Sequence, residues 1–368
     1  MGRDVPLGRR NLLSDRRRVA VSLLGVGLAV TLMLLIQGLW TGTLSRITAY
    51  EDNVGARLFV AERGTRSFQS DVSAVPPSAV DQIREVPGVA AADPIAARGL
   101  ILELHGTKMP LTLIGAPIGG LGGPWDLEDG RAVAADDEIV IDAGLAAEHG
   151  YRIGERFEVL GVGLEIVGLT PDTRALGNGG YLFVSQATAG RLLGATDATS
   201  FVLVRTADPA GVAGRIESQT DLEVLTAQEI ARGDREVYDD TLGSVIRVML
   251  AIAFAAGTLI VALSVYSSVV DRIREYGIVK ALGASRGRLL RIVLVQTGAL
   301  ALAGSVAGLG LFLAAKAAVA AWLPAFYLEL PGSILLAASM VVAAMALVAA
   351  VLPARRIGRL DPASVYRG

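Results

Sequence analysis

Residues 271–291 read DRIREYGIVKALGASRGRLLR, and they stand between two long apolar runs. The basic side chains Arg272, Arg274, Lys280, Arg286, Arg288 and Arg291 surround a small apolar set of Ile273, Ile278, Val279, Ala281 and Leu282. On a helix, Ile278 and Leu282 fall one turn apart, as do Tyr276 and Lys280, so an apolar strip can face one body and charge another. Gly283 can end that helix, because glycine takes a left-handed backbone without a steric penalty. The stretch therefore reads as a short interfacial helix, a turn at Gly283-Ala284-Ser285, and a new helix entering a membrane. A cytoplasmic loop that only fixes orientation would carry the same excess of positive charge.

The flanking runs explain why a membrane is in question. The chain has 368 residues, is 52% hydrophobic and only 5% aromatic, and its mean hydropathy is +0.51. Soluble globular domains are rarely so apolar. Residues 19–41 form a first span. Its uncharged part, Val19 to Trp40, reaches about 33 Å at roughly 1.5 Å per residue, enough for a bilayer core. It is longer than the apolar region of a cleaved signal peptide and ends on an interfacial tryptophan. Residues 242–270, 289–321 and 334–352 supply three more spans, joined by 271–288 and by a short link, 322–333. Arg247 in the first turns of the second span is expected near the head groups. Gly304 and Gly308 set a small-xxx-small pattern in the third span, suited to close helix packing either within a subunit or across a dimer.

Between the first two spans lies different material. Residues 42–241 alternate short strand-like runs with helical ones. Strands are expected at 57–61, 99–104, 109–114, 138–141, 156–160, 164–169, 181–184 and 201–205, and helices at 78–86, 143–149 and 209–219. Gly119 to Gly123 is expected at a tip or lobe junction, and 227–241 as a stalk helix running into the second span. Residues 51–241 hold about 30 acidic and 15 basic side chains against about 6 and 19 elsewhere, so the net charge of -2 hides a division. Basic clusters at 1–18, after the second span and in the tail 353–368 place both termini in the cytoplasm and the large domain outside. Bases beside apolar spans are explained by that rule, without nucleic acid. The fold expected is an α-helical membrane protein with four transmembrane helices plus a large extracytoplasmic α+β domain inserted between helices 1 and 2.

Catalytic chemistry is hard to place. With no cysteine, thiolate catalysis and cysteine metal sites are excluded. No G-x-x-x-x-G-K-[ST] occurs, so the sequence holds no P-loop. Gly161-Val-Gly163 and Gly177-Asn-Gly-Gly180 read as turns. His105 and His149 lie 44 residues apart outside any H-E-x-x-H pattern and read as ordinary surface or strand histidines. Asp136-Asp137-Glu138 reads as a solvated turn. No catalytic, cofactor-binding or metal-ligating residue is expected.

One span, a large domain, three more spans and Arg274-Glu275-Tyr276-Gly277-Ile278-Val279-Lys280-Ala281-Leu282-Gly283-Ala284-Ser285 in this order resemble the MacB/FtsX-type permeases of ABC transporters. Pro353-Ala-Arg-Arg356, Arg359-Leu-Asp-Pro362 and Leu7-Gly-Arg-Arg-Asn-Leu12 are similar to the family's usual ending and start. The resemblance implies that Arg274, Glu275, Tyr276, Gly277, Lys280, Gly283 and Ala284 form a coupling helix on a separate ABC ATPase subunit. ATP and Mg would then be bound by that partner and not by this chain. It further implies a dimer with a second permease copy or paralogue in a bacterial inner membrane, export or extraction of a substrate driven by motion of the outer domain, and an extracytoplasmic partner protein. An FtsX-like signal transmitter that activates an outer partner, such as a cell-wall hydrolase, is the alternative. The size of the outer domain favours the first.

Overall fold

The computed structural model describes residues 16–195, 199–271, 273, 278, 285–323 and 326–358. These form two compact units. One is Gly42–Ser244 with Leu323–Tyr327, and the other comprises the described residues before 42, between 245 and 322, and after 327.

The α+β unit takes up the chain where the long helix α1 (Arg16–Ile47) ends. A one-turn helix, α2 (Ala49–Asn53), leads into β1 (Leu58–Glu62), α3 (Pro77–Glu85), β2 (Val89–Leu104), β3 (Thr107–Ala116), β4 (Asp129–Gly130) and β5 (Glu138–Asp142). Then follow α4 (Ala143–His149), β6 (Arg156–Val159), β7 (Val162–Thr170), β8 (Tyr181–Ser185), α5 (Gln186–Leu193), β9 (Phe201–Thr206), α6 (Pro209–Gln219), β10 (Leu222–Thr226) and α7 (Ala227–Tyr238). The strands make one sheet in the order β10-β1-β9-β2-β3-β8-β5-β7-β4, with β6 beside β7. Two pairs are parallel, β3 with β8 and β5 with β7. The long strand β2 holds the sheet together, because its first part pairs with β9 and its second with β3.

Period-two alternation sets the layers. In β1, Leu58 and Val60 face a core under α3 and α6, while Phe59 and Ala61 face an aromatic core on the other side. In β8, Tyr181 and Phe183 join that aromatic core, and Leu182 and Val184 join a third core with residues of α4 and α5. One face of the sheet thus carries an aromatic-rich layer, and the other is shared by two largely aliphatic cores. Where a helix follows a strand directly, the last strand residue caps it: Asp142 for α4, Ser185 for α5 and Thr226 for α7, the last with Glu229 as a capping box.

All eight strand-like runs fall on strands. Two features differ in part from the sequence reading. Gly119–Gly123, expected at a tip or lobe junction, is exposed at Gly119 and Gly120 but then turns inward: Leu121 is buried, its N–H donates to Asp93, and the Tyr50 hydroxyl donates to the Gly122 carbonyl at 3.0 Å. Asp136 and Asp137 form the exposed turn expected of them, but Glu138 does not share it. Glu138 is buried, binds Arg131 through both carboxyl oxygens, and accepts the N–H groups of Ala134 and Ala135. The Arg131 guanidinium, with those two N–H groups, holds its carboxyl down to about 2. Part of the link after the third long helix, Leu323–Tyr327, belongs to the α+β unit. There the Arg46 guanidinium lies 4.1 Å from the centre of the Tyr327 ring.

The helical unit contains most of α1 together with α8 (Ser244–Asp271), α9 (Arg286–Trp322) and α10 (Gly332–Gly358). A five-residue π-helical turn, Asp239–Gly243, separates α7 from α8. Among the described residues four helices are long and apolar enough to cross a membrane: Ala20–Ile47, the apolar part of Ala227–Asp271, Gly287–Trp322 and Gly332–Val351. They share a core of Val26, Val30, Val261, Val265, Val293, Phe312, Val342 and Ala349. Leu24, Leu28, Leu302, Val306, Leu336 and Met340 remain exposed. Apolar surface of that extent suits contact with lipid.

Candidate functional site

The residues read as the coupling segment fall mostly outside the described part of the chain. Arg274, Glu275, Tyr276, Gly277, Lys280, Gly283 and Ala284 all lie outside the described residues. Asp271, Ile273 and Ile278 are helical, and Ile278 is exposed. On the far side Ser285 starts α9: its hydroxyl accepts from the Arg288 N–H at 3.3 Å and its carbonyl from the same N–H at 3.0 Å. A serine there satisfies a donor that the first turn leaves open.

Gly304 and Gly308 lie against α1 of the same chain. A Cβ on Gly304 would fall 2.7 Å from Val26 Cβ, with Val26 Cγ1 nearer still. One on Gly308 would stand 2.8 Å from both the Gly27 carbonyl oxygen and Val30 Cβ. The Thr31 hydroxyl spans this contact, donating to the Gly27 and Gly308 carbonyls at 2.7 and 3.0 Å. Small residues let the two backbones approach, and the hydroxyl adds a polar tie where no water competes.

Within the α+β unit, the segments next to α1 and α8 are fastened by polar contacts. Arg46 pairs with Asp172 at 3.3 Å and donates to the Arg174 carbonyl at 2.8 Å. Tyr50, fully buried, lies among Phe68, Trp125, Tyr181 and Phe183 with ring centres 5.0–6.2 Å away. Gln69 donates to the Tyr181 hydroxyl at 2.7 Å, and that hydroxyl donates to the Ile47 carbonyl at 3.0 Å. Glu51 of α2 and Asp234 of α7 are buried acids in the same region.

Sequence reasoning missed both acids. A signal existed: Glu51 follows Ile47, and Asp234 follows Ile230, each at the four-residue spacing of an apolar face. It also treated the histidines as unrelated. The turn between β2 and β3 brings His105 to the end of α4, where its Nδ1 lies 3.4 Å from that of His149. No group of three or more metal-ligating side chains occurs among the described residues.

Four apolar helices and a large α+β unit define a multi-pass membrane protein with a substantial water-soluble part. Residues 19–218 match the family model of the MacB-like periplasmic core domain, and residues 247–362 that of the FtsX-like permease C-terminal region. The chain belongs to the MacB/FtsX-type family of ABC transporter permeases. It is 26% identical over 365 residues to an uncharacterized ABC transporter permease of Mycobacterium tuberculosis, covering 98% of each chain. It is 24% identical over 387 residues to the macrolide export ATP-binding/permease protein MacB of Burkholderia lata, covering 95% of this chain and 55% of that one. Among solved structures, the periplasmic region of MacB from Actinobacillus actinomycetemcomitans aligns over 49% of this chain and 92% of that chain, at 12% identity and a TM-score of 0.37.

Proposed function

We propose that this chain is the membrane subunit of an ABC transporter whose ATPase is a separate polypeptide, and that it turns ATP-driven closure of that partner into motion of an outer α+β domain. One observation carries the reading: the two family models follow each other along the chain, and the second encloses the basic stretch 271–291. The sequence has no P-loop, which supports ATP and Mg binding in the partner. Arg274, Glu275 and Lys280 would offer charge to the ATPase, and the exposed Ile278 would offer it apolar surface. The division of charge supports cytoplasmic termini in an inner membrane and an α+β unit outside.

Two such chains, each fixed to one ATPase subunit, would shift together when the ATPases close. The outer domains would then act on a substrate at the outer face, for export or extraction. Among the described residues no titratable side chain is buried in the helical unit, so the proposal needs no polar translocation path within one subunit.

The test is co-expression with a candidate ABC ATPase subunit from the same genome, followed by purification of the complex. Glu275→Ala combined with Gly283→Val is expected to leave membrane insertion intact and to uncouple ATP hydrolysis from the permease. Coupled hydrolysis at the wild-type level in that variant would refute the assignment.

A further inference from the structure

In the α+β unit, α2 and α7 pack side by side, and each brings one acid into the seam. Glu51 is 1% exposed and Asp234 0%. Asp234 Oδ1 accepts from the Ser67 hydroxyl and from the Gln69 N–H at 3.0 Å. Its Oδ2 and both carboxyl oxygens of Glu51 are buried with no donor from another group. The charged and titratable groups around the two acids are Tyr50 and Asp52 on α2, Tyr238 on α7 and Tyr181 on β8, with Arg235 next along α7 and Arg66 and Asp71 exposed on the loop 66–71. Arg235 is engaged elsewhere, with Asp52 at 3.1 Å and the Thr48 hydroxyl at 2.8 Å. Asp71 accepts the N–H groups of Arg66 and Ser67. Among the described residues neither buried acid has an ion-pair partner.

Two ionised carboxylates cannot share such a place at reasonable cost. Each would lose its hydration with no cation in return, and each would repel the other. A single proton removes both problems, because it turns one acid into the donor that the other lacks. We infer that Glu51 and Asp234 hold one proton between them at neutral pH, and that this acid–carboxylate hydrogen bond latches α2 to α7. Burial, and next the facing Asp234 carboxyl, push Glu51 well above its ordinary value. Burial likewise raises Asp234, against the hydrogen bonds from Glu51, Ser67 and the Gln69 backbone that oppose it.

The sign follows from linkage. A carboxyl pair raised in the closed seam binds its proton more tightly there than when opened. The latch is at full strength below the ordinary carboxyl range, about pH 4, and weakens as pH rises toward the pair's own raised value. Inside that window the opening equilibrium grows about tenfold per pH unit for one proton released. By connectivity, α2 follows α1 after a single residue, and α7 runs through the π-helical turn into α8. Any effect of the latch on ATP coupling rests on the permease reading, but the latch itself does not.

The test uses the full chain in detergent micelles. Difference infrared spectra at neutral pH are expected to show the C=O stretch of a protonated carboxyl, absent from Glu51→Gln and Asp234→Asn. Amide hydrogen exchange in Tyr50–Val54 and Ile230–Tyr238, corrected for the intrinsic pH dependence of the chemistry, should accelerate with pH by up to about tenfold per unit in the wild type. In Glu51→Gln the carboxamide imitates the protonated partner, so that slope should flatten. Absence of the protonated-carboxyl band, a flat wild-type slope, or an unchanged slope in Glu51→Gln would each overturn the latch. Should Glu51→Gln fail to fold, Asp234→Asn and the two wild-type measurements still decide. None of these readouts needs an ATPase, so failure of the permease reading leaves them interpretable.

Discussion

Alanine at Gly304 or Gly308 should destabilise the helical unit, while alanine at Gly298 or Gly310 on the same helix should not. The distances set the difference. A new methyl on Gly308 would sit 2.8 Å from Val30 Cβ and 2.8 Å from the Gly27 carbonyl oxygen, where ordinary carbon contacts are about 3.5–4.0 Å. Helix α1 must therefore recede by roughly 1 Å, a gap that forfeits a quarter to a half of each dispersion well it opens. Overpacking of this kind costs about 1–3 kcal/mol. Stretching the bond from the Thr31 hydroxyl to the Gly308 carbonyl, now 3.0 Å, adds about 0.6 kcal/mol. Higher helix propensity of alanine returns about 1 kcal/mol, leaving a net loss of roughly 0.5–2.5 kcal/mol. Gly298 and Gly310 have nothing within 4 Å of a built Cβ, so there the propensity gain of up to about 1 kcal/mol stands alone. The assay is thermal unfolding of the four single variants in one detergent at fixed protein concentration, with oligomer size followed by light scattering. Equal melting temperatures for all four would refute the reasoning. So would Gly304→Ala or Gly308→Ala variants that lose only oligomer mass, since that result puts the glycines between copies instead of against α1.

Two further outcomes follow from the α+β unit. Glu138→Gln should cost about 1–3 kcal/mol near neutral pH, the usual price of losing hydrogen bonds to a charged group. Because Arg131 and two backbone N–H groups hold the Glu138 carboxyl down to about 2, its contribution is present above the ordinary carboxylate value and lost as pH falls through about 2. Wild-type and variant melting temperatures should therefore converge in acid, and a constant gap would count against the pairing. Gly233→Ala would press a methyl onto the backbone carbonyl of Arg66, whose carbon lies 2.7 Å from the built Cβ. Main chain cannot rotate away as a side chain can, so a loss of about 3 kcal/mol, or of folded protein altogether, is expected by thermal unfolding.

Much of the fold was legible because its signals are local. Leu58-Phe59-Val60 alternates between two cores, and a period of two is visible without any partner. The long apolar runs are likewise self-contained. What escaped detection depends on distant contacts or on weak local propensity. The first part of β2, Val89 to Ala97, is rich in alanine and contains Pro94, a composition that argues against a strand. It is a strand because β9 pairs along it. The five residues of β10 alternate Leu222, Val224 and Thr226, but the run is short and lies at the end of the sheet beside β1. Gly119–Gly123 carried a turn composition, and only the approach of Ile95 and Tyr50 shows that it folds inward. The coupling segment was readable as a motif, whereas Glu51 and Asp234 were readable only as acids on apolar beats.

The aromatic face explains why those acids matter together. No disulfide supports this unit, so its base is fixed by packing. Tyr50 ties α2 to the sheet through its ring neighbours and its hydrogen bond to Gly122. Asp234 and the glycine before it tie α7 to the loop 66–70 through Ser67, Gln69 and the close approach of Arg66. Each helix is thus anchored separately, one on rings and one on backbone. Ring packing of this kind has no group that titrates near neutrality, since burial moves the Tyr50 and Tyr181 hydroxyls upward, away from that range. The seam between the two anchored helices is where a proton can alter the balance, because its two carboxyls are raised and lack a cation. Within the α+β unit, α2 and α7 are therefore two separately anchored helices around one joint whose strength, under the latch inferred above, depends on protonation.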